Sequence, residues 1–407
     1  MAYCWLDRQL LSAFEHITGP ARVHAELGPS SPESTCAAPP IIRLKDRKTL
    51  IALLLNPEMN FGDLYCLGDV NVEGNLVRAL ETLYQAPDRL ITRIISRWLG
   101  WLQSNSLRAA RENIRHHYDV STDFYKLWLD PKLVYTCAYF PDENASLEQA
   151  QWEKLDLVCR KLWLQPGEKV VEAGCGWGAL ALHMARNYGV RVQAFNISHE
   201  QIEFARDQAR RQGLASSIEF IQDDYRNITA RCDAFVSIGM LEHIGREHYR
   251  ELGDVVHRAI GKTGRGLLHF IGKNQRLPFS TWIRKRIFPG AYTPTLREVM
   301  DVLEPHDFSV LDVENLRLHY ARTIECWLER YERCFNQVTK SFGPDFARMW
   351  RLYLAGSIAG FRTGTLQLFQ VVFAGRACKS QPSTRAHLYS GAVRRAFQDV
   401  ECTPAMS

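Results

Sequence analysis

The chain of 407 residues has 11 cysteines but no Cys-x-x-Cys pair, and the count is odd. That disfavours the disulfide framework of a secreted domain and a cysteine zinc site, and reduced thiols in a cytoplasm are expected. Long apolar runs are also missing. The best candidate, residues 355–375, is interrupted by Arg362, Gln367 and Gln370, so no membrane span is expected. Its second half, residues 366–374, reads instead as a buried strand. The first residues have neither a basic leader nor an apolar core, so no signal peptide is read. A net charge of +5 is too small to argue for a nucleic-acid partner. No phosphate-binding Gly-rich loop ending in Lys, no His-Glu-x-x-His sequence and no Ser/His/Asp arrangement is visible, and no metal is expected. What remains is 46% hydrophobic and 23% charged, the balance of a globular protein with room for a large domain and a smaller one.

The pattern changes along the chain. Residues 1–85 mix short apolar runs with a Pro/Ser-rich stretch at 28–40, and read as a small N-terminal accessory domain. Residues 86–118 read as a basic amphipathic linker helix. Arg89, Arg93 and Arg97 share one stripe, while Leu90, Ile94, Trp98 and Trp101 lie on the other side. Two readings stay open: a segment lying on a membrane surface, or a helix packing two domains together. Residues 119–375 form the catalytic unit, with strands expected at 169–173, 190–196, 218–222, 234–238 and 265–271 and helices at 179–188 and 199–212. Strands alternating with helices specify an α/β fold with a mostly parallel sheet, which binds ligands at the carboxyl ends of its strands. Residues 376–407 are left as a C-terminal tail.

The chemistry-bearing residues fall at those ends. Val170 and Val171 lead into Glu172-Ala-Gly174-Cys175-Gly176-Trp177-Gly178. Alternating glycines allow a tight turn and close approach of a ligand. The spacing differs from the Gly-x-Gly-x-x-Gly dinucleotide fingerprint, and suits a nucleoside without phosphates, S-adenosylmethionine. By itself it could also be ordinary strand–turn–helix punctuation. Asn196, Ser198 and Gln201 follow the second strand and could reach ribose hydroxyls, although Ser198 also suits a helix cap. Asp224-Tyr225-Arg226 could hold adenine or be a polar turn. Met240 and Glu242 follow the fourth strand. His269 lies among apolar residues on the fifth, either a satisfied core histidine or a partner of Glu242, since a carboxylate and an imidazole converging in a cleft shift each other's pKa. Upstream, Tyr135-Thr136-Cys137-Ala-Tyr-Phe places a thiol in an aromatic cluster.

These blocks, with His117-Tyr118-Asp, Gly239-Met240-Leu-Glu242-His-Ile-Gly, Leu268-His269-Phe-Ile271-Gly, Ile287-Phe-Pro-Gly, Tyr320 and Phe361-Arg, resemble in order the cyclopropane-fatty-acyl-phospholipid synthases and mycolic acid cyclopropane synthases. The resemblance runs from about residue 116 to 374. It implies a class I S-adenosylmethionine-dependent methyltransferase, Rossmann-like, with a mostly parallel seven-stranded sheet. The implied reaction is methyl(ene) transfer to the cis double bond of an unsaturated phospholipid acyl chain, with bound bicarbonate as base. The residues implied to hold that bicarbonate are Cys137, Glu242, His269, Ile271 through its backbone, and Tyr320. Tyr118 and Met240 are expected in the substrate pocket. Tyr135, Thr136, Val171, Glu172, Gly174, Cys175, Gly176, Trp177, Gly178, Asn196, Ser198, Gln201, Asp224, Tyr225 and Arg226 are expected around the cofactor.

Cyclopropane formation is the preferred outcome, and addition of a methyl branch is the alternative. A methyltransferase for a small soluble substrate and a non-catalytic S-adenosylmethionine-binding module are the competing readings. A cytoplasmic protein is expected, peripheral at the inner membrane face with transient membrane-surface contact. A homodimer is left open.

Overall fold

The computed structural model describes residues 5–18, 24–28, 40–85, 121–276, 280–379 and 382–389. Two sheets organise them. In the larger, β-branched and aromatic runs form β4 (Lys169–Ala173), β5 (Arg191–Asn196), β6 (Ile218–Gln222), β7 (Ala234–Ile238), β8 (Arg265–Gly272), β9 (Phe308–Asn315) and β10 (Gln367–Gly375). Their spatial order is β6-β5-β4-β7-β8-β10-β9. The strands from β6 to β8 pair in parallel, and β10 runs antiparallel between β8 and β9. Every residue of β7 and β10 is buried. Both are covered on two faces, which is why they read as continuous apolar runs and not as alternating ones.

The chain leaves β4 toward β5 on one side and returns to β7 on the other. That reversal opens a crevice above the carboxyl ends of β4, β5 and β7, where such sheets bind ligands. The expected elements are present with small shifts at their ends. The second strand starts at Arg191, because Gly189 closes the preceding helix in a left-handed conformation (φ 64°). The following helix stops at Arg211, with Gln212 as its cap. Among the described residues, no helix is long and apolar enough to cross a membrane. Of the tail, a short helix, Ala386–Tyr389, is described.

The smaller sheet joins β1 (His24–Leu27), β2 (Ile41–Leu44) and β3 (Val70–Glu73), with β1 parallel and β3 antiparallel to β2. Helices Arg47–Leu55, Pro57–Cys66 and Leu76–Tyr84 accompany it. Asp46, Asn56 and Asn75 cap them by accepting from the amides of Thr49, Met59 and Arg78. This unit is fastened to the larger one by directed contacts. Arg348, on the helix Pro344–Thr363, donates to the carbonyls of Tyr65 (2.6 Å) and Val70 (3.0 Å). Its guanidinium also lies 4.2 Å from the centre of the Tyr65 ring. Asp63 accepts from Trp282 Nε1 (3.0 Å) and from Arg286 (2.8 Å).

Gly62 lets the Trp282 indole lie against the helix backbone; a Cβ there would sit 2.2 Å from Trp282 Nε1. Gly62→Ala must therefore push the indole away. A loss of about 1–3 kcal/mol is expected, as for other overpacked sites, seen in calorimetry as a melt lowered by several degrees. A melt that overlays the wild type would mean that the Gly62–Trp282 contact does not hold the two units together.

Candidate active site

A cavity of about 570 Å3 opens at the carboxyl ends of β4, β5 and β7. The glycine turn forms one wall. Gly174, Gly176 and Gly178 all have left-handed φ angles (83°, 53° and 84°), but they serve different ends. A Cβ on Gly176 would meet nothing within 4 Å, so this backbone is open to a ligand. A Cβ on Gly174 would press on Met240 at 3.1 Å, and one on Gly178 would strike Ala205 and Phe220 at 2.8 Å. Asn196 steadies the turn, donating to Gly176 O (3.3 Å) and to Gln201 Oε1 (2.7 Å). Beneath it, Glu172 is buried with Oε2 unpartnered among the described residues, and burial pushes its carboxyl up to about 8. Lys154, also buried, donates to Thr136 Oγ1 (2.9 Å), and burial lowers its ammonium to about 8. Glu172 and Lys154 both line the cavity, so an acid and a base of similar pKa face one compartment.

An unbroken series of aromatic rings leads away from the turn. Trp177 lies 5.0 Å from Tyr125, and Tyr125 is 5.1 Å from Tyr135. Tyr135 is 5.4 Å from Trp327, which is 6.0 Å from Tyr320. Trp128 packs edge-on against Tyr135 and Trp327, and Phe361 lies 4.7 Å from Tyr320. Aromatic faces carry negative charge density and attract cations without offering a nucleophilic lone pair in the way water does.

Behind Gly239 and Met240 lies a second, smaller constellation. Gly239 N–H donates to His269 O at 2.8 Å. Glu242 Oε1 accepts from Ile271 N–H at 2.5 Å, while Oε2 is buried and unpartnered among the described residues. Burial pushes this carboxyl up to about 7, although the Ile271 amide opposes the shift. His269 accepts or donates at Nδ1 with Gln370 Nε2 (3.0 Å), and its Nε2 is likewise buried without a partner. Burial, with Lys154 and Lys161 nearby, holds the imidazole well below its usual range and therefore neutral. Tyr320 is buried, and its phenol is raised well above normal by burial and then by Tyr353, Cys137 and Glu242. Burial raises the Cys137 thiol as well, so it stays protonated; its Sγ lies 3.1 Å from Ala138 O.

Of the residues expected around the cofactor, Tyr135, Thr136, Glu172, Gly174, Cys175, Gly176, Trp177, Asn196, Gln201, Asp224, Tyr225 and Arg226 line the cavity, as does Met240, expected in the substrate pocket. Three do not. Val171 points into the core beside Phe235 and Phe195. Ser198 caps the helix His199–Arg211, accepting from Gln201 N–H at 3.4 Å. Gly178 is small for the sake of packing on Ala205 and Phe220. Ile271 donates its amide to Glu242. Tyr118 and the basic stretch 86–118 lie outside the described residues. No role is expected from sequence for Tyr125, Trp128, Lys154, His243 or Phe288, although His243 and Phe288 stand inside blocks that carry the resemblance.

The family described as mycolic acid cyclopropane synthetase matches residues 105–371. A probable fatty acid methyltransferase of Pseudomonas putida is 32% identical over 85% of this chain and 88% of its own length. The cyclopropane-fatty-acyl-phospholipid synthase of Escherichia coli strain K12 is 39% identical over 64% of this chain and 66% of that enzyme. Among solved structures, the cyclopropane synthase MmaA2 from Mycobacterium tuberculosis is 30% identical with a TM-score of 0.61, covering 65% of this chain and 97% of that one. The mycolic acid cyclopropane synthase CmaA1, complexed with SAH and CTAB, is 30% identical with a TM-score of 0.60, covering 64% and 97%. The seven-stranded sheet and the glycine turn at its switch point are thus those of a known methyltransferase architecture, and the chain belongs to the mycolic acid cyclopropane synthetase family, as an enzyme of the S-adenosylmethionine-dependent methyltransferase class.

Proposed function

We propose that this enzyme transfers a methylene group from S-adenosylmethionine to the cis double bond of an unsaturated phospholipid acyl chain, closing a cyclopropane ring. The observation that carries this reading is the pair of buried, unpartnered polar atoms, Glu242 Oε2 and His269 Nε2, beside an aromatic wall. A transfer to an ordinary nitrogen or oxygen nucleophile needs no such wall.

When bound, S-adenosylmethionine supplies an electrophilic methyl group on a positively charged sulfur. Gly176 and Tyr225 fit its adenosine, and Glu172 with Lys154 matches the ammonium and carboxylate of its amino-acid end. The alkene's π pair forms the new carbon–carbon bond as the carbon–sulfur bond breaks, and the chain becomes cationic. Tyr135, Trp327 and Tyr320 face that cation and exclude water, which would otherwise capture it. Ring closure requires one proton to leave the new methyl group, its C–H pair forming the third ring bond. Bicarbonate fits the donors and acceptors left over at Glu242 Oε2, His269 Nε2 and the Tyr320 hydroxyl, and would supply the base there. Cys137 stays a neutral thiol at its edge. Ile271 supports this site through Glu242. Addition of a methyl branch is the second reading, favoured by the likeness to a fatty acid methyltransferase over most of the chain.

The acyl double bond lies inside a bilayer, so transient contact with a membrane surface belongs to the same proposal. The composition of residues 86–102, with Arg89, Arg93 and Arg97 among Trp98, Trp101 and aliphatic residues, supports it. Each such charge is worth about 1 kcal/mol near an anionic surface. Changing the three arginines to Gln should weaken co-sedimentation with anionic vesicles and leave the melting temperature unchanged. Equal sedimentation would assign the stretch to domain packing.

Two substitutions separate binding from chemistry. Gly176→Val fills the open face of the turn, and calorimetry should show S-adenosylmethionine binding lost in a folded protein. Glu242→Gln should keep that binding and lower turnover by roughly 10²–10⁴-fold, the usual contribution of acid–base groups. Glu242 is ionised only above its raised pKa of about 7. Wild-type turnover should therefore rise with pH through about 7 and then level off, and the Gln variant should lack this limb. Intact binding in Gly176→Val, or turnover within about twofold in Glu242→Gln, would refute the corresponding assignment.

A further inference from the structure

Three buried polar side chains from three elements meet end to end behind the site. Lys161 closes the helix Leu147–Lys161, Gln370 lies in the middle of β10, and the strand register sets His269 of β8 directly opposite it. Lys161 Nζ donates to Gln370 Oε1 at 2.6 Å and to Glu314 Oε2 on β9 at 2.5 Å. Gln370 Nε2 lies 3.0 Å from His269 Nδ1. Gln370 has no accessible surface, and His269 is 2% exposed.

The chemistry of these groups leaves one arrangement. An ammonium has donors only, so the Gln370 atom facing it must be the amide oxygen. The amide NH2 then points at His269, and Nδ1 has to accept. A neutral imidazole that accepts at Nδ1 carries its proton on Nε2. That Nε2 is buried without a partner among the described residues. A buried N–H with no acceptor is unfavourable until an acceptor arrives.

We propose that Lys161 and Gln370 are positioning residues that lock His269 in its Nε2–H tautomer, so that the ring presents a hydrogen-bond donor to an anion held beside Glu242. The proposal rests on the function given above, because that function requires an acceptor at this place. The lysine sets the amide, the amide sets the ring, and the ring leaves Nε2 as its unengaged nitrogen. Neither Lys161 nor Gln370 touches substrate. A histidine with the opposite tautomer would turn a lone pair toward the anion and repel it. A purely structural role, tying the helix to β9 and β10, would be indifferent to which ring nitrogen bears the proton.

The tautomer can be read directly by nitrogen NMR of the full-length protein labelled at histidine, without any ligand. The His269 signals are those lost in His269→Gln. In the wild type, Nε2 should be protonated and Nδ1 bare. In Gln370→Glu the carboxylate, still tied to Lys161, accepts from Nδ1–H; the proton should move to Nδ1 or the ring become charged. Turnover should then fall on the order of 10²-fold, as when one preorganised donor is lost, with S-adenosylmethionine affinity unchanged. Lys161→Met frees the amide to turn over and should give a mixture of tautomers. A wild-type ring protonated on Nδ1, or a Gln370→Glu ring identical to the wild type, would overturn the proposal. Should both variants unfold, the wild-type ring decides alone. Because the ring is read without cofactor or lipid, its tautomer stands or falls apart from the reaction assigned to the enzyme.

Discussion

Glu242 and His269 each bury a polar atom that nothing in the described structure satisfies. Such atoms cost roughly 1–3 kcal/mol apiece, and folded proteins seldom leave two together. The surroundings explain how they persist. Glu242 is anchored through its other oxygen by the Ile271 amide, and His269 through its other nitrogen by Gln370. Both anchors come from the paired strands β8 and β10, which are rigid because they are buried on both faces. In each side chain one polar atom is held and the other is left without a partner among the described residues.

The same burial governs the electrostatics. A carboxyl raised to about 7 is partly ionised near neutrality while the imidazole stays neutral, so protonation of Glu242 sets the charge of the region. The aromatic series from Trp177 to Tyr320 continues this economy of charge toward the cofactor cleft, since rings stabilise a passing cation without reacting with it. Carboxylates placed along the same path would stabilise the cation more strongly, but would also trap it.

Much of the architecture is legible in the sequence because it is written in local patterns. β4, β6, β7 and the helix Ala179–Tyr188 fall on the expected residues, and β5, β8, β10 and the helix His199–Arg211 differ by one residue at their ends. The glycine turn is legible for the same reason, though not the division of labour within it. Gly178 looks like its neighbours in sequence, and only the tertiary approach of Ala205 and Phe220 shows that it serves packing. The aromatic wall is legible only in part, through Tyr135, Trp177 and Tyr320, which are expected at the site. Tyr125, Trp128 and Trp327 come from helices or turns some two hundred residues apart, and no periodicity links them. Lys161 and Gln370 were hidden likewise, since a lysine at a helix end and a glutamine in an apolar strand look unremarkable until the fold joins them.

In the proposed reaction the buried site removes one proton from the newly transferred methyl group and thereby closes a ring. Supplying S-adenosylmethionine with a fully deuterated methyl group, followed by mass spectrometry of the lipid product, tests this directly. Ring closure keeps two of the three deuterons, as a CD2 bridge between the former alkene carbons, with one deuteron lost. A product that retains all three deuterons as a CD3 branch would contradict it, and would mean that the cation is quenched elsewhere on the chain.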